Sequence, residues 1–340
     1  MKAQIKPRIN LEGRTKLETV IPLETPFIIF IDPSSACNFK CTYCPTGHLD
    51  LIKDTKRYQG VLKFDIYKKI IDDLKDFKNN VKVLRLYKDG EPFLNKNLAE
   101  MVSYAKKSKK VDYIDTTTNA ALMTKERLKP VLDAGIDKIN ISIDGMNNET
   151  YLNFTKTKLE FSKIVENVKW LYKNKGNTEV AVKIPGDIIN EKEEKEFFKT
   201  FGDYADRIFV ENFAPCWPEF DVEKHTGVKI TKGIYQQEIT ETDICPYIFY
   251  SFSVNADGLV SSCFLDWKRK LIIGDVRVES MKDIWNSKKM NQLRLMHLEK
   301  KRKNIDACSS CGQLSHCLPD NVDKFANEIK ENFLKSSPSL

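Results

Sequence analysis

The sequence has no apolar run of about 18 residues, so no membrane-spanning helix is expected. Its opening, MKAQIKPRINLEGRTK, is basic but lacks an apolar core and a small-residue cleavage site, which argues against a secretory signal. The chain is therefore expected to stay in the cytoplasm. It has no internal repeat and no low-complexity tract, which sets aside solenoid and fibrous architectures. Histidine is scarce: the four (48, 225, 297, 316) form no ligand-like cluster, and His48 alone lies near the cysteine-rich stretch described below. No strong charge imbalance marks a nucleic-acid or membrane surface. The 55 basic and 48 acidic residues leave a net charge of +7, and the one dense basic run, EKKRK at 299–303, reads as a solvated helix end.

Cysteine, by contrast, is plentiful and clustered. Nine are present, and in a reducing compartment they point to metal rather than disulfides. Cys37, Cys41 and Cys44 form one group. Cys245, Cys263, Cys308, Cys311 and Cys317 form another, and Cys216 stands alone.

Six apolar runs rich in β-branched and aromatic residues read as buried strands: 27–32, 81–87, 111–118, 137–144, 179–185 and 207–213. Amphipathic helical patterns separate them, for example Leu62, Ile66, Ile70, Leu74 and Phe77 on one stripe. Strands alternating with helices predict an α/β fold with a parallel sheet, and six units predict a partial (β/α)6 barrel of TIM type. Functional residues then lie on the loops after the strands. The chain divides into an N-terminal extension (1–26), the barrel (27–213), a connector (214–244), a small metal-organised domain (245–321) and a C-terminal helix (322–340).

The first cysteine group lies in SSACNFKCTYCPTG (34–47), directly after the first strand. A structural zinc site wants four ligands. Three clustered thiolates on a four-iron cluster leave one iron open to a small molecule. C-x3-C-x2-C with Tyr43 before the last cysteine resembles the signature of the radical S-adenosylmethionine (SAM) superfamily. The likeness recurs at later strand ends. Asp89-Gly90-Glu91-Pro92 resembles the family's Gly-Gly-Glu-Pro turn, with Asp89 in place of the first glycine. Thr116-Thr117-Thr118-Asn119 resembles its ribose-contacting strand end, and Ser142-Ile143-Asp144-Gly145 its Ser-x-Asp-Gly element. The resemblance implies a SAM-binding 4Fe-4S cluster on Cys37, Cys41 and Cys44, with SAM as fourth ligand. It implies contacts to SAM or substrate from Tyr43, Gly90, Glu91, Pro92, Thr117, Asn119, Ser142 and Asp144, with Tyr43 near the adenine. The same Thr, Asn, Ser and Asp residues also suit plain helix capping.

The second group reads C-x12-G-x4-C, a gap, then C-x2-C-x5-C, and resembles the SPASM extension of the same superfamily. A full SPASM domain has seven cysteines, and this chain has five, which favours one auxiliary 4Fe-4S cluster as in the shortened twitch variants. Cys245, Cys263, Cys308 and Cys311 complete a four-ligand set, and Cys317 is either spare or replaces one of them. A zinc ribbon is the competing reading. The resemblance further implies a flavodoxin- or ferredoxin-type reductant and a small carbohydrate-like substrate: a sugar, amino sugar or cyclitol. The short N-terminal extension and incomplete cysteine set weigh against a peptide-modifying SPASM enzyme. Oxidation, with the auxiliary cluster accepting the electron, is the leading expectation. Epimerisation with Cys216 as hydrogen donor is the alternative, and a non-catalytic cluster carrier is a third class.

Overall fold

The computed structural model describes residues 1–317 and 320–336, so Leu318, Pro319 and the tail 337–340 of the expected segments lie outside the described residues. The ten strands are β1 (Gln4–Ile5), β2 (Ile28–Ile31), β3 (Val81–Leu86), β4 (Val111–Thr118), β5 (Lys138–Ser142), β6 (Glu179–Pro185), β7 (Arg207–Glu211), β8 (Ser251–Val254), β9 (Leu259–Ser261) and β10 (Ile272–Asp275). They form one sheet in the order β1-β7-β6-β5-β4-β3-β2-β8-β9-β10. The six expected strands are β2 to β7. They pair in parallel with sequential neighbours, and helices carry the chain back between them. This is the partial barrel, and its sheet is open rather than closed on itself.

Alternation along these strands separates two environments. Side chains of registered residues share a face. One face is aliphatic: Leu84 pairs with Ile114, Ile141 with Val182, Val182 with Ile208 and Ile184 with Val210, and all are buried. This face packs under the helices, and each fully buried Leu, Ile or Val contributes about 1.5–3 kcal/mol. The other face is polar and lines the barrel interior: Arg85 pairs with Asp115, Thr117 with Asn140, Ser142 with Lys183 and Pro185 with Glu211.

Four strands, β1 and β8 to β10, lie outside the expected six. β1 adds in parallel to β7, so the N-terminal extension widens the barrel sheet. β8 adds in parallel to the far side of β2, with Ile28 opposite Ser251, and then runs antiparallel into β9 and β10. Phe264, next to Cys263, stacks on Phe30 of β2 with ring centroids 4.4 Å apart. The apolar core continues across position 245: Phe252, Val260, Ile284 and Trp285 belong to the same cluster as the barrel strands. Among the described residues, no helix is long and apolar enough to cross a membrane.

Candidate active site

The loop after β2 carries Cys37, Cys41 and Cys44. Its shape is held by the end of the helix Asn148–Thr155, whose last carbonyls lack partners within the helix. Lys40 N donates to Thr155 O at 2.9 Å and Thr42 N to Phe154 O at 2.8 Å. Cys44 N closes a turn onto Cys41 O. His48 supports the same loop through Nε2 and Thr42 O at 2.9 Å.

The turn after β3 packs against this loop. Gly90 needs its missing side chain, because a Cβ there would fall on the carbonyl oxygens of Ala36 and Ser34. Glu91 N donates to Ala36 O at 3.0 Å. The Glu91 carboxylate is buried and accepts from Thr118 Oγ1 (2.7 Å), Phe93 N (3.1 Å) and Asn119 N (3.0 Å). Burial pushes it up to about 7 despite these donors. Pro92 starts the short turn that Glu91 caps. Gly90→Ala is expected to push the turn off the cysteine loop, destabilising the fold by about 1–3 kcal/mol. Thermal unfolding and iron uptake during reconstitution check this.

Asn119 bridges the two groups, with Nδ2 2.9 Å from Asn38 Oδ1 and 3.9 Å from the Cys37 sulfur. The Tyr43 hydroxyl donates to Asp144, and its ring lies on Phe213 at 4.9 Å. Burial raises the Asp144 carboxyl to about 6. Thr117 Oγ1 is buried without a hydrogen-bond partner among the described residues, and Ser142 sits in register with Lys183 on the lumen face.

Four cysteines of the second group, Cys245, Cys263, Cys308 and Cys311, line one cavity, with Ile248, Leu271, Leu293 and Leu314 filling the wall between them. Cys317 does not line it. This thiol is buried elsewhere, where the charges of Cys216, Cys311 and Glu211 bear on it. Cys216 lies on the loop after β7, with its carbonyl oxygen 3.7 Å from the Cys311 sulfur.

A protein-family model for the radical SAM superfamily matches residues 31–200, half of the chain, and one for an iron–sulfur cluster-binding SPASM domain matches residues 245–312. The chain belongs to the radical SAM superfamily. A Pyrococcus furiosus protein, a tungsten-containing aldehyde ferredoxin oxidoreductase cofactor-modifying protein, is 24% identical over 345 residues, covering 88% of this chain and 92% of the relative. The GTP 3′,8-cyclase of Chlorobaculum tepidum is 31% identical over 130 residues, and the match spans about a third (34%) of its length. Among solved structures, BtrN in complex with AdoMet and 2-DOIA superposes with a TM-score of 0.55 at 18% identity, covering 85% of this chain and 94% of that one. Streptococcus suis SuiB bound to its precursor peptide SuiA gives 0.61 at 14% identity, covering 93% and 75%. At these identities the two structures show the fold.

Membership brings a SAM-binding 4Fe-4S cluster, SAM itself and an auxiliary iron–sulfur cluster. The donor sets of this radical SAM protein fit them. Burial pushes the Cys37 and Cys308 thiols up to about 12 and raises Cys41, Cys44, Cys245, Cys263 and Cys311 as well. Buried thiols of this kind become thiolates when metal supplies the compensating charge.

The residues that sequence reasoning missed line the lumen. Lys183 Nζ lies 2.6 Å from Glu211 Oε2, and Arg8 of the N-terminal extension approaches the same carboxylate at 3.6 Å. Arg85 pairs with Asp115 at 3.8 Å and donates to the Tyr87 hydroxyl at 2.6 Å. Asn140 Oδ1, Asp115 Oδ1 and Glu211 Oε1 are buried without hydrogen-bond partners among the described residues. The signal was in the alternation of EVAVKIP and RIFVE, where Lys183 and Glu211 occupy the non-aliphatic positions.

Proposed function

We propose that the protein abstracts a hydrogen atom from a small carbohydrate-like molecule held in the barrel lumen and oxidises that carbon. The polar lumen wall carries this reading. Asn140 Oδ1, and one oxygen each of the ion-paired Asp115 and Glu211 carboxylates, accept no hydrogen bond among the described residues and suit the hydroxyl or ammonium groups of a sugar, amino sugar or cyclitol, because buried polar atoms need partners. In this reading Cys37, Cys41 and Cys44 hold the open cluster, and Cys245, Cys263, Cys308 and Cys311 hold the auxiliary one. Glu91 accepts from the amino group of SAM, Gly90 and Pro92 shape its turn, and Thr117, Asn119 and Ser142 face the nucleoside and substrate. Asp144 orients Tyr43. When bound, SAM on the open cluster supplies a 5′-deoxyadenosyl radical and the auxiliary cluster an acceptor for one electron, fed overall by a flavodoxin- or ferredoxin-type reductant.

The protein's own contribution is binding and proton handling. Converting a secondary alcohol to a ketone removes one hydrogen atom, one proton and one electron. Bound SAM and the auxiliary cluster would account for the hydrogen atom and the electron, which leaves the proton to the protein. Glu211 takes the hydroxyl proton, and Lys183 holds the developing oxyanion beside it. The charge of Lys183 also bears on Asp144 and Cys216.

A second reading, epimerisation, draws support from Cys216, whose thiol feels the charges of both Cys311 and Cys44. One experiment separates the readings. Reduced, reconstituted protein is incubated with SAM and a panel of sugars, amino sugars and cyclitols, and 5′-deoxyadenosine and product are measured. Oxidation predicts that Lys183→Met lowers product formation by about 10²–10⁴-fold while SAM cleavage persists. It also predicts that Cys216→Ala turns over nearly normally. A Cys216→Ala variant that consumes substrate but yields only shunt products points to epimerisation. Stimulation of SAM cleavage by peptides and by none of the panel overturns the small-molecule reading.

A further inference from the structure

Asp89 occupies the place of the first glycine in the SAM turn, and its surroundings explain what it does there. Its side chain is fully buried and meets three cations: Lys88 at 3.0 Å, Arg269 at 2.5 Å and Arg57 at 3.6 Å. Asp32, at the end of β2, accepts from Asp89 N at 3.2 Å, and Thr46 Oγ1, two residues past Cys44, donates to Asp89 O at 2.8 Å. Arg57 Nη2 donates to the same Thr46 hydroxyl at 3.0 Å. Four chain segments therefore meet at Asp89: the stretch around Arg57, the Glu91 turn and the segment after Cys263 on its carboxylate, and the end of the cysteine loop, through Thr46, on its carbonyl oxygen.

Arg269 is the only one of these groups that comes from the auxiliary lobe. It lies between Cys263 and β10. Its backbone is in the left-handed region, at φ +61°, which an arginine adopts only when its surroundings hold it there. Those surroundings are specific. The Asp266 carboxylate accepts from Lys270 N (2.8 Å) and Leu271 N (2.9 Å), and Asp266 O accepts from Arg269 Nη1 (2.9 Å). The loop is thus folded so that the guanidinium points across to the SAM turn. Buried ion pairs of this kind add little net stability, but they fix one arrangement of the parts they join.

We propose that Arg269 is a positioning residue for SAM: through Asp89 it clamps the Glu91 turn and the cysteine loop to the auxiliary lobe, so that the state of that lobe sets how tightly SAM binds. The clamp rests on the reading of Glu91 as the acceptor for the SAM amino group. Its charge balance makes a distinctive prediction. Removing Asp89 leaves Lys88, Arg57 and Arg269 facing one another with Asp32 and Asp266 as the remaining nearby carboxylates. Removing Arg269 as well relieves part of that repulsion.

The test titrates SAM into reduced, reconstituted Asp89→Asn, Arg269→Gln and the double variant. It follows the SAM-induced change in the electron paramagnetic resonance signal of the open cluster, with iron content confirming that both clusters are loaded. Each single variant is expected to weaken SAM binding about tenfold, and the double variant about tenfold rather than a hundredfold, because the two residues act as one unit. Arg269→Lys, which keeps the charge, recovers part of the loss. Values for all variants within about twofold of wild type, or losses that multiply in the double variant, overturn the clamp. If Asp89→Asn does not take up iron, the comparison of Arg269→Gln with Arg269→Lys decides it: equal affinities for the two overturn the clamp. Glu91→Ala measured alongside keeps the two readings apart. Wild-type SAM affinity there defeats the reading of the turn, whereas silence confined to the Arg269 variants defeats the clamp.

Discussion

Replacing Cys37, Cys41 and Cys44 together with alanine abolishes 5′-deoxyadenosine formation and lowers iron from about eight to about four per chain. The remaining iron is expected to stay because the second cysteine set lines its own apolar cavity, walled by Ile248, Leu271, Leu293 and Leu314. The converse replacement, Cys308→Ala with Cys311→Ala, also halves the iron but leaves SAM cleavage detectable at saturating SAM, while product formation fails. The contrast is chemical. A set of four thiolates can fill the outer coordination of a four-iron cluster, whereas a set of three leaves one iron to react. Iron analysis together with chromatography of 5′-deoxyadenosine checks both halves. A triple variant that still cleaves SAM, or a wild-type protein that purifies anaerobically with one zinc and no iron, would falsify the assignment.

Glu91→Ala is the second large effect. The carboxylate accepts three hydrogen bonds, so its removal strands the Thr118 hydroxyl and the backbone N–H groups of Phe93 and Asn119. Each buried donor left without a partner costs about 1–3 kcal/mol. The same change deletes the acceptor for the SAM amino group, and a hydrogen bond to a charged group contributes about 1.5–3 kcal/mol. Affinity for SAM is therefore expected to fall by roughly 10- to 100-fold, on top of a lower unfolding temperature. Glu91→Gln is no gentler at this site. Its amide nitrogen must face either the Asn119 N–H or the donors from Thr118 and Phe93, so one contact turns from attraction to repulsion. Calorimetric titration with SAM and thermal unfolding of the reconstituted protein measure the two components separately. A Glu91→Gln variant that binds SAM like wild type shows that the carboxylate is structural only.

The six barrel strands were legible because their apolar runs alternate with amphipathic helices, and that pattern is local. The first cysteine group and the Glu91 turn were legible for a similar reason: each follows a strand within a few residues. Lys183 and Glu211 were present in the sequence but read as part of wholly buried strands. An aliphatic outer face and a polar lumen look alike in a short run until pairing shows which side faces in. Arg269 was hidden for another reason. Its partner Asp89 is 180 positions away, and no local pattern predicts a contact of that range. The five C-terminal cysteines had suitable spacing for ligands, but spacing alone did not separate Cys317 from the rest. The separation comes from packing: the other four line one cavity, and Cys317 is not among its lining residues.

The pairing of β8 with β2 also governs the order in which the molecule is built. β2 is the first strand of the barrel, yet its outer edge is covered by Ser251–Val254. During synthesis the six barrel strands emerge first, and until β8 arrives that edge presents unpaired N–H and C=O groups. The cysteine loop grows directly from this half-paired strand, so its final setting waits for the far end of the fold. A nascent chain stalled before residue 251 is therefore expected to leave the edge of β2 open for pairing with other chains.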